Sequence, residues 1–346
     1  MAILVADLVT RGTSLVPSHF VRPLSDRPNL KEAAAVDSTF PLIDLQGLHG
    51  PNRAQVLNDV HQASVNDGFF LVKNHGIADS VMNDMMEISR RFFRLPESER
   101  LKSYSEDPTK TVRLSTSFNV KKEKVSNWRD YLRLHCYPLE DYAQHWPAQP
   151  SNFRFAFCLP LKRNTVIWVR ELALALLEAL SESLGLEPDY MNKALGKQGQ
   201  HMAINYYPPC PEPELTYGLP GHTDPNALTV LLQDDVPGLQ VLRDGKWVQV
   251  NPIPKALVIN IGDQIQVLSN GVYKSVLHRA VVNTDKERIS IPTFYCPSPD
   301  AIIRPAAQLV DDQHPPLYRS YTYSEFYEKF WDHGLQSQSC VDNFLI

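Results

Sequence analysis

Residues 221–234 read GHTDPNALTVLLQD. The second part, ALTVLLQD (227–234), is a short β-branched run closed by an aspartate, the form of a buried strand. The first part, GHTDPN (221–226), sets His222 and Asp224 two residues apart between a glycine and a proline. Alone it reads as a polar turn; with a third ligand elsewhere it becomes two thirds of a metal site. The β character repeats outward. HMAINYYPPCP (201–211) lies upstream, and GLQVLRDGKWVQV (238–250), ALVINIGD (256–263), SVLHRAVVN (275–283) and RISIPTFYC (288–296) lie downstream. Each run is bounded by Gly, Pro, Asn or Asp. About seven strands at this spacing predict a jelly-roll barrel, a double-stranded β-helix of two facing sheets.

The half before residue 199 has a different character. Residues 1–38 suggest an extended arm with short helical pieces. FPLIDL (40–45) and GFFLVKNHG (68–76) read as strands. A helix is expected over 53–66, capped by Asn52 and burying Val56, Val60 and Ala63. Another should run from Asp79 to about Phe93, and His75 between them is read as a satisfied structural histidine. Residues 101–150 are polar and proline-dotted, long loops around one strand near YLRLHCY (131–137). A helix over 166–184 buries Val169, Ala173, Leu176 and Leu180, and Gly185 stops it. The aromatic-rich YTYSEFYEKFWDHGL (321–335) is expected to form a helix covering the barrel. The fold class is therefore α+β, a jelly-roll core with flanking helices in one compact unit.

Composition narrows the function. The chain has 346 residues, 43% hydrophobic, with a mean hydropathy of −0.27. No apolar run approaches the ~18 residues of a membrane helix. The N-terminus lacks the charged start, apolar middle and small-residue cleavage site of a signal peptide. Net charge −5 and a pI near 6.1 argue against a nucleic-acid partner. The five cysteines are scattered without a CxxC pair, so reduced thiols are expected rather than a disulfide framework or zinc ribbon. The expectation is a soluble cytoplasmic monomer with neither a nucleic-acid nor a membrane partner.

The third ligand is His278, in SVLHRAVVN. Extended backbone points residues i and i+2 the same way, so His222 and Asp224 can face one ion, and a jelly roll can bring His278 across. Two imidazoles and one carboxylate are the facial triad of non-haem Fe(II) oxygenases, with coordination positions left open; zinc is the alternative metal. Ten residues on, Arg288, Ser290 and Phe294 share strand parity. An arginine fork and a hydroxyl suit a small carboxylate. 2-Oxoglutarate has that form, one end chelating iron and the far carboxylate reaching Arg288 and Ser290. Asn205 and Tyr207, also of equal parity, sit on a neighbouring candidate strand.

NYYPPCP, HTD, His278 and RIS, in this order and spacing, resemble the plant Fe(II)/2-oxoglutarate-dependent dioxygenases, and FPLIDL and GFFLVKNHG are similar to that superfamily's N-terminal region. The resemblance implies an N-terminal region over 1–195, the oxygenase core over 196–300 and a C-terminal strand and covering helix over 301–346. It implies Fe(II), 2-oxoglutarate, O2 and ascorbate as a supporting reductant. A narrower resemblance covers nearly the whole chain. VPSHFVRPLSDRPNL (16–30), RLSTSFNVKKEKVSNWRDYLRLHCYP (113–138) and ERISIPTFYCPSPDA (287–301) resemble the salicylate hydroxylases of plants, the downy-mildew-resistance oxygenases and their senescence-associated relatives. These hydroxylate salicylate at ring position 3 or 5, lowering it in defence and senescence. Some relatives are flavone synthases or flavanone hydroxylases, which is the alternative. HGPNRA (49–54) and ERISIPTFYCPSPDA are closer to the 3-hydroxylating branch.

A small aromatic anion needs an apolar wall and a carboxylate partner. Phe294 is expected at the cavity wall, Phe118 and Asn119 on a covering loop, and Arg113 and His135 as carboxylate partners. FRFAFCLPLKRNTVIWVREL (153–172) departs from the family pattern, because Pro160 interrupts what should be one amphipathic helix.

Overall fold

The computed structural model describes residues 4–30, 39–116, 123–154, 165–334 and 339–346. Its strands are β1 (Leu42–Asp44), β2 (Phe69–Lys73), β3 (Val112–Ser115), β4 (Asp130–Tyr137), β5 (Gly199–Tyr207), β6 (Leu219–His222) and β7 (Leu228–Gln233). They continue with β8 (Leu239–Arg243), β9 (Lys246–Gln249), β10 (Leu257–Ile261), β11 (His278–Ala280), β12 (Arg288–Cys296), β13 (Ile302–Ile303) and β14 (Tyr321–Thr322). The large sheet has the order β1-β2-β10-β7-β12-β5-β4-β3 and the smaller one β6-β11-β8-β9. Phe69, Leu231 and Val258 of the large sheet share an apolar cluster with Leu239, Val241 and Val248 of the small one, which closes the jelly roll at one end. The fold is the expected α+β class.

Register sets up the interior. β5 pairs with β12 through Tyr207↔Arg288, Asn205↔Ser290 and His201↔Phe294. On its other side it pairs with β4 through Asn205↔Tyr131, Ala203↔Arg133 and His201↔His135. β7 adds Thr229 opposite Phe294, and β10 adds Asn260 opposite Thr229. Because strand side chains alternate, residues 201, 203, 205 and 207 face the same way as their partners. One inward surface therefore carries arginines, aromatics and small polar groups in rows.

Helices back the outer face. Thr165–Ser183 buries Val169, Ala173, Leu176 and Leu180 against Val60 and Ala63 of the helix Arg53–Asn66 and against Val230 and Ile259 of the sheet. Each fully buried aliphatic side chain contributes about 1.5–3 kcal/mol. Gly185 follows with φ +74, the left-handed residue that stops the helix. The helix Tyr323–His333 starts at Thr322, whose hydroxyl accepts from the Glu325 amide at 3.3 Å. His75 is satisfied locally, by the Lys255 carbonyl at 3.1 Å and the Ile77 amide at 3.2 Å.

Several local expectations are corrected. Asn52 precedes its helix without a side-chain cap bond. GLQVLRDGKWVQV is not one strand but the hairpin β8–β9, because Asp244 (φ 49) and Gly245 (φ 74) form the left-handed pair that a two-residue turn needs. The stretch 101–150 holds β3 beside β4 and short helical turns, more structure than its polar composition suggests. The Pro160 region, residues 155–164, and Cys158 lie outside the described residues; the helix is described from Thr165. The other four cysteines are free and buried. Among the described residues no helix is long and apolar enough to cross a membrane.

Candidate metal and co-substrate site

His222 ends β6, Asp224 follows it, and His278 opens β11, directly opposite His222 in the antiparallel register. One donor atom from each lies within 4.8 Å of the others. Asp224 Oδ1 is 3.7 Å from His222 Nε2 and 3.6 Å from His278 Nε2. The other polar atoms of the three residues are already engaged. His222 Nδ1 meets the Pro220 carbonyl at 2.9 Å and His278 Nδ1 the Val276 carbonyl at 3.1 Å. A carbonyl can only accept, so each Nδ1 carries a proton and each Nε2 is the ring atom left to face a metal. Asp224 Oδ2 accepts from the Thr229 hydroxyl at 2.6 Å and from Asn260 Nδ2. Burial, reinforced by the neighbouring His278, holds His222 well below its ordinary value, in the neutral form a metal requires.

The intervening loop is fixed by backbone contacts. The Asp263 amide donates to the Asp224 carbonyl at 2.9 Å, and Gln264 Nε2 to the Pro225 carbonyl at 2.8 Å. Gly262 makes this approach possible, since a Cβ there would lie 2.0 Å from the Asn226 carbonyl oxygen.

Away from the triad, Arg288 is 2% exposed. Its Nε donates to the Val236 carbonyl at 3.1 Å and its Nη2 to Gln233 Oε1 at 3.0 Å, while the guanidinium lies 5.2 Å from the Tyr207 ring centre. Nη1 has no hydrogen-bond partner among the described residues. Ser290 Oγ accepts from Asn205 Nδ2 at 3.5 Å. Gly238 leaves room for this arginine; a Cβ there would sit 2.8 Å from Arg288 Cδ.

A cavity of about 140 Å³ joins the two groups. His222, Asp224, His278, Asn205, Tyr207, Arg288, Ser290 and Phe294 all line it. Phe294 stacks on His201 with ring centres 4.9 Å apart, and His201 on His135 at 5.8 Å. Burial keeps both histidines neutral, His135 down to about 4 and His201 well below its ordinary value. Tyr323, Tyr327, Phe330 and Trp331 of the C-terminal helix complete the wall, as expected of a covering helix.

Two expected contacts are not brought to the cavity. Arg113 is buried behind its wall, with Nη1 on the Tyr131 hydroxyl and Nε on the Ser105 carbonyl at 3.0 Å. It sits on β3, one strand further out than the lining residues Tyr131 and Arg133 of β4. His135 reaches the cavity only through His201. Phe118 and Asn119 lie outside the described residues. Missed by the sequence reading are Arg129, Arg133, Arg279 and His201 on the lining, and Thr229 and Asn260 behind Asp224. Parity offered a signal: residues 129, 131 and 133, from just before β4 into it, alternate as 288 and 290 do on β12.

Residues 198–297 match the model of the 2OG-Fe(II) oxygenase superfamily, and residues 40–153 that of the non-haem dioxygenase in morphine synthesis N-terminal region. The chain is 54% identical over 346 residues to Protein DOWNY MILDEW RESISTANCE 6 of Arabidopsis thaliana, covering 98% of this chain and 99% of that one. The chain belongs to the 2OG-Fe(II) oxygenase superfamily. This oxygenase is also 55% identical over 341 residues to Flavanone 3-dioxygenase 2 of Oryza sativa subsp. japonica, covering 97% of this chain and 96% of that one. The crystal structure of JOX2 in complex with 2OG, Fe and JA superposes with a TM-score of 0.87 at 35% identity, covering 100% of this chain and 98% of that one. The oxygenase is thus a 2-oxoglutarate-dependent dioxygenase of the downy-mildew-resistance type, with Fe(II) and 2-oxoglutarate as its cofactors. The donor set fits that metal, because two imidazole Nε2 atoms and one carboxylate oxygen converge with their remaining polar atoms tied back.

Proposed function

We propose that the oxygenase hydroxylates salicylate on its ring, at position 3 ahead of position 5, giving dihydroxybenzoate and lowering salicylate in plant defence and leaf senescence. In this reading His222, Asp224 and His278 hold Fe(II). Arg288 and Ser290 take the far carboxylate of 2-oxoglutarate, with Tyr207 and Asn205 beside them. The bound iron supplies the oxidising chemistry: one atom of O2 enters the ring, and the other leaves in succinate as 2-oxoglutarate loses carbon dioxide. The protein's own part is to hold the ring, exclude water and keep His201 uncharged against it. Ascorbate serves as a supporting reductant. Buried free thiols suit a reducing compartment, and the reading places the enzyme in the cytoplasm.

The observation that carries the substrate reading is the make-up of the cavity. It combines an aromatic wall, Phe294 stacked on His201, with four arginines against a single carboxylate, Asp224. This make-up supports an aromatic anion over a neutral ring system. The rice relative's name keeps flavanones as the second reading. The test is product analysis by mass spectrometry. Purified enzyme with Fe(II), ascorbate and 2-oxoglutarate receives salicylate and naringenin side by side. The expected result is 2,3-dihydroxybenzoate with a minor 2,5-isomer; robust conversion of naringenin and none of salicylate would overturn the choice.

A further inference from the structure

We propose that Arg129 is the residue that holds the substrate's carboxylate and so sets the enzyme's preference for aromatic acids; this rests on the salicylate reading above. Arg129 begins the inward row of β4, one residue before the strand's first paired position. It lines the cavity and is 4% exposed. Its neighbours lock the backbone at this point. Trp128 is fully buried, and the Asp130 carboxylate accepts the amides of Val5 at 2.9 Å and Ala6 at 2.8 Å. The guanidinium lies over the Tyr131 ring at 4.6 Å, and Nη1 donates to Asn205 Oδ1 at 3.1 Å. That orients the group and leaves one edge unused. Nε is buried without a hydrogen-bond partner, and Nη2 makes no hydrogen bond among the described residues. Nε and Nη2 form the side-on fork that a carboxylate meets with two parallel bonds.

The other cavity arginines are tied elsewhere, although Arg133 also keeps a buried Nε without a hydrogen-bond partner. Arg288 stands beside Ser290 at the co-substrate end. Arg133 spends Nη2 on the Pro108 carbonyl at 2.5 Å and the Lys110 carbonyl at 2.7 Å, tying down a loop. Arg279 donates to Gln240 at 2.7 Å and to the Tyr217 hydroxyl at 3.2 Å, and lies over the Trp247 ring at 4.0 Å. No carboxylate among the described residues comes within ion-pair distance of Arg129. The two charges of iron offset the two of 2-oxoglutarate, so loading the cofactors leaves this arginine uncompensated. A buried cation with an open fork calls for an anion with two oxygens.

The test uses the full-length iron-loaded enzyme and two substrates of one shape, salicylate and its neutral amide, salicylamide. Wild-type enzyme should show a KM for salicylamide on the order of 10²-fold above that for salicylate. Arg129→Gln should raise the salicylate KM by a similar factor and abolish the discrimination, while the Kd for 2-oxoglutarate changes by less than about threefold. Arg129→Lys keeps the charge without the fork and should fall between, which covers the case of a misfolded glutamine variant. Salicylate preference held at the full wild-type ratio in folded Arg129→Gln or Arg129→Lys overturns the assignment alone. Loss of 2-oxoglutarate affinity with the salicylate KM unchanged overturns it too, and makes Arg129 a co-substrate residue. Wild-type enzyme that oxidises naringenin and leaves salicylate untouched defeats the substrate reading first and the assignment with it.

Discussion

Removing the Asn260 amide should weaken metal binding without touching a metal ligand. Asp224 Oδ1 faces the two Nε2 atoms at 3.7 and 3.6 Å, and it is held there because Oδ2 is tied down by Thr229 at 2.6 Å and by Asn260. Thr229 and Asn260 are cross-strand partners on β7 and β10, so the clamp is built into the sheet register. In Asn260→Leu one of the two donors is lost and the carboxylate can turn. A hydrogen bond to a charged group contributes about 1.5–3 kcal/mol, which is a factor of roughly 10–10² in Kd. Loss of an outer partner of a metal ligand falls in the same range. Thr229→Val should act alike, and the double variant should lose less than both effects combined, since the two donors share one oxygen. Anaerobic titration of the apo-enzyme with Fe(II), or with Co(II) followed by its visible band, measures this, with thermal melting as the folding control. At saturating metal, 2-oxoglutarate affinity through Arg288 should stay near wild type. Unchanged metal affinity in both folded single variants would refute the clamp.

Arg288→Ala removes a buried charge partner, typically a loss of about 3–5 kcal/mol, so 2-oxoglutarate affinity should fall on the order of 10²–10³-fold. Calorimetric titration should also show salicylate binding changed much less; the reverse pattern would make Arg288 the substrate's anchor. Phe294→Ala removes the ring stacked 4.9 Å from His201 and should lower salicylate turnover by up to ~10²-fold and shift the 2,3- to 2,5-dihydroxybenzoate ratio. A chromatogram with rate and ratio unchanged would remove Phe294 from the wall. His135 is held down at about 4 against an ordinary 6.5, so the folded state binds fewer protons than the unfolded one across that window. Stability is therefore full above pH 6.5 and lost as pH falls toward 4, by about 1–3 kcal/mol in all. Urea midpoints should fall between pH 7 and 5, and less steeply in His135→Gln; a flat wild-type profile contradicts this.

The barrel and the triad were legible because both rest on short-range rules. Period-two parity aligned Arg288, Ser290 and Phe294 on one face, and β12 keeps them there. The helices at 53–66, 79–93 and 165–183 followed from apolar spacing. The pocket's cations were not legible, because an arginine on a half-polar strand reads the same whether it faces water or a cavity. Arg113 and Arg129 illustrate this. They sit on adjacent parts of one polar region, yet the strand order β5–β4–β3 carries the first one strand off the lining and leaves the second on it. The clamp on Asp224 was likewise hidden, since Asn260 and Thr229 meet only when β7 and β10 pair. His201 looked like a strand residue among aromatics, and only its stacking between His135 and Phe294 gives it a place in the site.

The most direct test of the account is the stoichiometry of a single reaction. Wild-type enzyme, Fe(II) and salicylate are combined with or without 2-oxoglutarate, and Asp224→Ala is run in parallel. Succinate and dihydroxybenzoate should appear one for one in the complete wild-type mixture, and neither should form without 2-oxoglutarate or with the variant. Dihydroxybenzoate formed without 2-oxoglutarate, or undiminished turnover by folded Asp224→Ala protein, would contradict it.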